Sequence, residues 1–334
     1  MLSLMEQTPE RLAPPRDVKR TLNLDSQAPL NVVLGGMGGS GIVGDIVADF
    51  CRSSVRIPTT VCRSVRLPRF VDERTLFVAI SYSGDTQETL EMLGQARRMN
   101  ALLAIVCSGG KLLSEAENNG IPYVRVPSGM APRVALPELL AAVTHVMWKA
   151  KVIEDAQRLL ELAKASTSEV LKRVKAPVPM AQNPAKQAAS ALFGHLPLLI
   201  GSEEDGSVLR RFKNELNENS KMPAVLYTLP EACHNDVEGL KDLGHLSNPL
   251  PVIFRGQYQT ERERKISDKL IDVLAGVGFP PPLLLEGSGN GRFEWLVSAI
   301  TFGDFVSFYL AILKGVDPSK LALIPEFKTI RGQV

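Results

Sequence analysis

Three hydroxyls crowd one turn of this chain, in Ala79-Ile80-Ser81-Tyr82-Ser83-Gly84-Asp85-Thr86-Gln87. An apolar run of strand type leads into it and an amphipathic helical pattern leads out. A helix N-terminus offers unpaired N–H donors and positive dipole potential, so Ser81, Ser83 and Thr86 gather where an anion such as phosphate is held best. No lysine accompanies them, which excludes the lysine-dependent nucleotide loop and suits a sugar monophosphate better than a triphosphate. Gly36-Met37-Gly38-Gly39-Ser40-Gly41 repeats the strand, turn and helix pattern earlier in the chain. The bare patterns also fit a tight strand-to-helix connection, with Ser81 or Ser83 as a simple N-cap.

A second group of reactive side chains lies far downstream. On a predicted helix over 207–220, Val208, Leu209, Phe212 and Leu216 form the core stripe. At about 100° per residue, Glu218 stands roughly 200° round from Leu216, which alone makes it a solvent-facing acid. Arg211 with Glu215, and Asn214 with Glu218, are i,i+4 neighbours that could satisfy one another. Yet Asn214, Asn217 and Asn219 are poor helix formers, and so dense a polar cluster is odd on a face with no task. His234, in Pro230-Glu231-Ala232-Cys233-His234-Asn235-Asp236, sits in a polar turn, as an acid–base group or as a cap. His145 falls in an apolar helix, His195 just before a strand and His245 in a loop, all weaker settings for catalysis.

Taken together, Gly-Met-Gly-Gly-Ser-Gly at 36–41, Ser-Tyr-Ser-Gly-Asp-Thr at 81–86, Ala-Pro-Arg at 131–133, Arg-x-Lys-Asn-x-x-Asn-Glu-Asn-x-Lys at 211–221 and Pro-Glu-Ala-x-His-Asn at 230–235 resemble the archaeal-type bifunctional phosphoglucose/phosphomannose isomerases, SIS-domain members of the phosphoglucose isomerase superfamily. The serine/threonine turn is common to SIS proteins, whereas Asn-Glu-Asn-x-Lys followed by the histidine turn is far more specific. The resemblance implies interconversion of glucose 6-phosphate and fructose 6-phosphate, with mannose 6-phosphate as a further substrate, through a cis-enediolate. It assigns Ser81, Ser83 and Thr86 to the 6-phosphate, and Gly38, Gly39 and Ser40 to the sugar. Arg133 becomes the enediolate stabiliser and Glu218 the base, His234 opens the ring from the partner subunit of a homodimer, and Lys328 assists ring opening. Leu321 departs from the family at a position where a threonine is associated with mannose, which weakens that activity rather than the glucose one. The resemblance implies no cofactor and no metal. A carboxyl that carries the proton and a cation beside the oxyanion are the right types for this chemistry. The competing readings are a non-catalytic SIS sugar-phosphate sensor, which needs only the phosphate turn, and an amino-sugar phosphate isomerase.

The elements that must position these groups are legible in outline. The chain has 334 residues, with 45% hydrophobic and 22% charged, a globular composition long enough for two cores. With 38 basic against 36 acidic residues, net charge is +2, and no field recruits nucleic acid. Glu261-Arg262-Glu263-Arg264-Lys265 alternates in sign and reads as a solvated helix face. Cys51, Cys62, Cys107 and Cys233 stand apart with no metal spacing, and neither a signal-like start nor a run of eighteen apolar residues is present, so a cytoplasmic protein away from membranes is expected.

Residues from about 3 to 24 read as a helical arm broken by prolines. Strands at 31–34, 59–62, 76–80, 103–107 and 123–126 alternate with helices at 41–52, 86–100 and 111–118, the signature of a parallel sheet covered on both faces. Helices at 136–149 and 152–174 follow, and Pro177 and Pro179 mark a linker. A strand over 196–200 and an acid-bearing turn, Glu203-Glu204-Asp205, restart the pattern, with later strands at 225–227, 252–255 and 283–286. The expected fold class is α/β: two SIS-type three-layer αβα sandwiches, each with a mainly parallel sheet of about five strands. The expected domains are 1–150 with the phosphate turn, 151–179 as connecting helix and linker, and 180–334 with the catalytic Glu and His.

Overall fold

Every residue of Thr75–Ser81 is buried, because a parallel strand covered by helices has no solvent face, and between its hydroxyl-bearing ends it is apolar throughout. The computed structural model describes residues 1–20, 28–246, 248–256 and 258–331, and among these that strand lies at the middle of the first of two sheets. In chain order the first half holds helices α1 (Leu2–Glu6) and α2 (Thr8–Arg11), strands β1 (Asp17–Lys19) and β2 (Asn31–Gly36), α3 (Gly38–Ser54), β3 (Thr59–Cys62), β4 (Thr75–Ser81), α4 (Gln87–Arg98), β5 (Leu102–Cys107), α5 (Gly110–Asn119), β6 (Tyr123–Arg125) and α6 (Leu136–Lys149). The second holds α7 (Ala156–Val174), α8 (Pro184–Leu192), β7 (Leu196–Ser202), α9 (Gly206–Glu218), β8 (Val225–Leu229), α10 (Asp236–Leu246), β9 (Pro249–Arg255), α11 (Glu261–Gly276), β10 (Leu283–Glu286), α12 (Arg292–Leu313) and α13 (Leu323–Arg331).

The first sheet has six strands in the order β1-β6-β5-β4-β2-β3, and the second has four in the order β10-β9-β7-β8. Both counts differ from the five expected for each. The extra strand is β1, which pairs antiparallel with β6 through Val18↔Val124, where a helical arm was expected. Pro14 and Pro15 force the preceding chain to extend, and the open edge of β6 then offers hydrogen bonds that a helix could not use. The expected arm is therefore two short helices followed by a strand, and its end at residues 21–24 lies outside the described residues. All strand pairs other than β1–β6 are parallel.

Alternation along each strand divides the side chains between two faces. Val32, Leu34, Leu76, Val78 and Ile80 point to an inner core, whereas Val33, Phe77, Ala79 and Ile105 pack outward under α4 and α5. In the second sheet Leu199, Val252 and Phe254 join that same inner core, and Leu198, Ile200 and Ile253 face α10 and α11. The two sandwiches thus share one continuous middle layer. At its centre α12 packs on α7, α8 and α9. This helix is long and apolar enough to cross a membrane by length and composition, yet it is mostly buried in the core.

The stretch around Pro177 and Pro179 does end α7, but it is tied down. Lys186 Nζ donates to the carbonyls of Ala176 and Val178 at 2.8 and 2.7 Å, and Tyr309 Oη donates to Val174 O at 2.5 Å. Helix α7 begins four residues later than its apolar pattern suggested. Asp155 caps it by accepting from Arg158 N at 2.9 Å.

Candidate functional site

Strand order in the first sheet reverses between β2 and β4, since the chain runs outward from β2 to β3 and then returns to build β4, β5 and β6 on the other side. Crevices at such a point lie beyond the carboxyl ends of the strands. Gly36 pairs with Ile80 across this boundary, so the glycine turn and the serine turn leave the sheet side by side. Tyr82 N donates to Ser40 Oγ at 3.1 Å, tying one turn to the other.

The serine turn is built around Gly84, whose φ of +79° belongs to the left-handed region, and a Cβ there would stand 1.8 Å from Gly109 O. Ser81 is buried, shares a 2.8 Å hydrogen bond with Thr86 Oγ1 and accepts from Gly84 N at 3.2 Å. Ser83 is exposed and accepts from Asp85 N at 3.3 Å. Neither serine caps α4, because Thr86 occupies the N-cap position and its side chain makes no capping bond. The simple N-cap reading of Ser81 and Ser83 therefore fails.

Gly38, Gly39 and Ser40 form the first turn of α3. Gly39 lies against the segment carrying Arg133: a Cβ there would stand at ordinary contact distance, 3.7 Å from Arg133 Cα and 3.5 Å from Pro132 O. Met130 N donates to Tyr82 Oη at 2.9 Å, which brings the segment before Arg133 onto the serine turn. Three segments distant in sequence, 36–41, 81–86 and 130–133, converge here.

Arg133 is only 4% exposed, and its Nη1 lies 3.7 Å from Glu218 Oε2. Glu218 closes α9 and is not the solvent acid that helical geometry alone suggested, for its side chain is 27% exposed and turned toward this cation. Lys221 stabilises the end of α9 by donating from Nζ to Glu218 O at 2.6 Å and Asn219 O at 3.3 Å, a favourable place for a cation. Burial, and Arg133 after it, lowers the Lys221 pKa.

Beneath this pair lies a buried network. Arg211 forks onto both Asp304 oxygens at 2.9 Å, pairs with Glu215 at 2.8 Å and donates to Arg133 O at 2.8 Å. Asn219 Nδ2 donates to Glu215 Oε2 at 2.8 Å and Ser307 Oγ at 2.9 Å. Burial pushes the Glu215 carboxyl up to about 8 against the opposing Arg211 charge, and burial likewise raises Asp304. The Arg211–Glu215 pair was legible at i,i+4 spacing. Asp304 and Ser307 were not singled out, although a lone acid within the apolar run of α12 was the available signal.

His234 follows β8 on an exposed turn and makes no hydrogen bond or ion pair to Arg133 or Glu218 among the described residues. The side chains of Lys328 and His245 lie outside the described residues. His145 stacks edge-on against Trp148 beside a cavity of about 260 Å³ lined by Val18, Tyr123 and Lys149, and burial lowers its pKa. His195 is half-buried, with Nδ1 3.2 Å from Phe193 O.

The second half's acid-bearing turn is filled from within. Ser207 N, in the first turn of α9, donates to Asp49 Oδ2 at 2.7 Å, so a carboxylate of α3 stands where the first half leaves room for an anion. Asp205 is buried and lies 3.2 Å from Arg292 Nη1.

Residues 181–330 match the family model described as the bacterial phospho-glucose isomerase C-terminal SIS domain. The chain is 30% identical to the bifunctional phosphoglucose/phosphomannose isomerase of Caldicellulosiruptor bescii, over 98% of this chain and 97% of that protein. It is 31% identical to the enzyme of the same name from Aquifex aeolicus, over 89% of each chain. In fold it is similar to the C-terminal domain of glucosamine-fructose-6-phosphate aminotransferase from Francisella tularensis, with a TM-score of 0.72, 18% identity and 96% and 97% of the two chains covered. With similarity running almost end to end and the serine turn, Arg133 and Glu218 gathered at one crevice, the chain belongs to the bifunctional phosphoglucose/phosphomannose isomerase family.

Proposed function

We propose that the protein interconverts glucose 6-phosphate and fructose 6-phosphate, and accepts mannose 6-phosphate, by moving a proton between C1 and C2 through a cis-enediolate. The observation that carries this reading is the approach of Arg133 Nη1 to Glu218 Oε2 at 3.7 Å, beside the serine turn. Ser81, Ser83 and Thr86 hold the 6-phosphate at the N-terminus of α4, while Gly38, Gly39 and Ser40 line the sugar. Starting from the aldose, Glu218 takes the C2 proton as the C1 carbonyl gains electron density, and the Arg133 guanidinium stabilises the resulting oxyanion. The same carboxyl returns the proton to C1 while the hydroxyl proton passes from O2 to O1, leaving the ketose carbonyl at C2. His234, supplied by the partner of a two-fold dimer, and Lys328 move the protons that open the ring, consistent with the exposure of His234 away from its own Glu218.

The test is incubation with fructose 6-phosphate, following glucose 6-phosphate with a coupled dehydrogenase, and repetition in D2O. Turnover with solvent deuterium entering the product supports proton transfer, and a protein that binds fructose 6-phosphate without turnover is a sensor instead. Glu218→Gln should lose on the order of 10² to 10⁴ in kcat while binding fructose 6-phosphate within several-fold, because the amide keeps the shape but cannot accept the proton. Normal turnover in that variant would remove Glu218 from the reaction. Mannose 6-phosphate assayed in parallel decides whether Leu321 is compatible with that epimer.

A further inference from the structure

The Arg133 guanidinium is held on two of its three nitrogens, and each holding contact can be traced. Nε donates to Asn219 Oδ1 at 3.1 Å, and Nη2 donates to the carbonyls of Pro318 at 2.6 Å and Ser319 at 3.1 Å. The remaining nitrogen, Nη1, is thereby turned toward Glu218. The fork is planar and rigid, so fixing two nitrogens fixes the third.

Asn219 can serve this purpose only in one orientation. Its Nδ2 is committed to Glu215 and Ser307, so its carbonyl end must face Arg133. Glu215 is clamped in turn by Arg211, which is anchored on Asp304 and also holds the backbone oxygen of Arg133. The contacts close into a ring from the Arg133 side chain through Asn219, Glu215 and Arg211 back to the Arg133 main chain. The ring joins a segment of the first half to α9, and Asp304 and Ser307 brace it from α12.

We infer that Asn219, Glu215, Arg211 and Asp304 are positioning residues that aim Arg133 at the proton-transfer site, an inference that rests on the isomerase reading. A buried ionic network argues little for stability, since well-packed apolar residues of similar volume often do as well or better. Its cost is accounted for if a cation must be preorganised where charge develops, because such donors act only when held in place before the reaction. Displacing an oriented group by about 1 Å can cost roughly a hundredfold in rate.

Asn219→Ala should lower kcat for fructose 6-phosphate by roughly 10- to 100-fold, with KM within about threefold because the phosphate is held elsewhere. Affinity for a five-carbon aldonate phosphate, whose planar carboxylate imitates the enediolate, should fall in proportion to kcat. A merely structural role would shift the unfolding midpoint and leave that proportion unmoved. Glu215→Gln turns its NH2 against a donor, either Arg211 or Asn219, so Glu215→Gln and Glu215→Ala should both fall with Asn219→Ala. If Asn219→Ala does not fold, the two Glu215 variants carry the test. Unchanged kcat and aldonate phosphate affinity in Asn219→Ala or Glu215→Ala overturns the inference. An inactive parent, or a fully active Glu218→Gln, would instead overturn the isomerase reading.

Discussion

Ser83 and Thr86 differ from Glu218 in what they can do for a reaction. They face the end of the substrate that does not change, so on the proposed reading their bonds contribute equally to ground state and transition state. A hydrogen bond to a charged acceptor contributes roughly 1.5 to 3 kcal/mol. Ser83→Ala and Thr86→Ala should therefore each raise KM for fructose 6-phosphate by roughly 10- to 100-fold with a smaller change in kcat. Steady-state kinetics on the double variant checks this, and an unchanged KM would move the phosphate to the 36–41 turn. Ser81 is a different case. Its hydroxyl already bridges Gly84 N and Thr86, so Ser81→Ala should also loosen the turn itself.

At the scale of elements, the strand-turn-helix unit is used twice with opposite outcomes. In the first half, the turn between β4 and α4 is shaped by Gly84 packing against Gly109. Gly84→Ala should destabilise the protein by at least about 2 kcal/mol, from left-handed strain and collision with backbone that cannot yield, and should raise KM as the turn shifts. Denaturant unfolding beside kinetics reads both effects.

In the second half, the start of α9 after β7, which matches β2–α3 in sheet order, is filled by Asp49, whose carboxyl burial pushes up to about 7 despite the bond from Ser207 N. A folded pKa above the unfolded value means the folded state keeps a proton that the unfolded chain has released. The stability linked to this group is thus full below 3.8 and declines as pH rises toward about 7. Asn at this position still accepts from Ser207 N but cannot ionise. The unfolding midpoint of Asp49→Asn should gain on the parent as pH rises through that window and then level off, whereas a constant difference would show that Asp49 is ionised throughout.

Across the whole molecule, the two sheets are not independent units loosely joined, for a single inner core runs from β4 through α3, α6, α7 and α12 to β9. The site inherits this arrangement. Its serine turn comes from the first half, Glu218 from the second, and the Arg133 ring locks the halves together. On the proposed two-fold dimer, each cleft also takes His234 from the other subunit. Glu218→Gln and His234→Ala homodimers should each be inactive, yet recover activity after subunit exchange. In the mixed dimer one cleft carries both defects and the other neither. Complete exchange at equal amounts makes about half of the dimers mixed, each with one intact site of two, so roughly a quarter of parental activity should return. Verified exchange with no recovery would assign Glu218 and His234 to one chain.

Much of this was legible in the residue pattern, because local periodicity and turn chemistry act locally. The buried strand at 75–81, the helix at 136–149 and the two glycine-bearing turns follow from apolar runs, helical spacing and the need for backbone without Cβ at Gly84. The pairing of β1 with β6 did not follow, since three polar-flanked residues become a strand only when an open edge lies beside them. Glu218 shows the limit most plainly. Its position on the helix wheel faces away from the core of its own unit, and only the packing of α9 against the segment carrying Arg133 turns that face into a site. The same holds for Asp304: one acid in an apolar helix is legible as an exception, but its partner Arg211 lies 93 residues away in sequence. Most strands, helices and glycine- or serine-bearing turns follow from the residue pattern, because those depend on neighbours along the chain. Which charges from distant segments meet follows only from the tertiary structure, because such an ion pair depends on how whole layers pack.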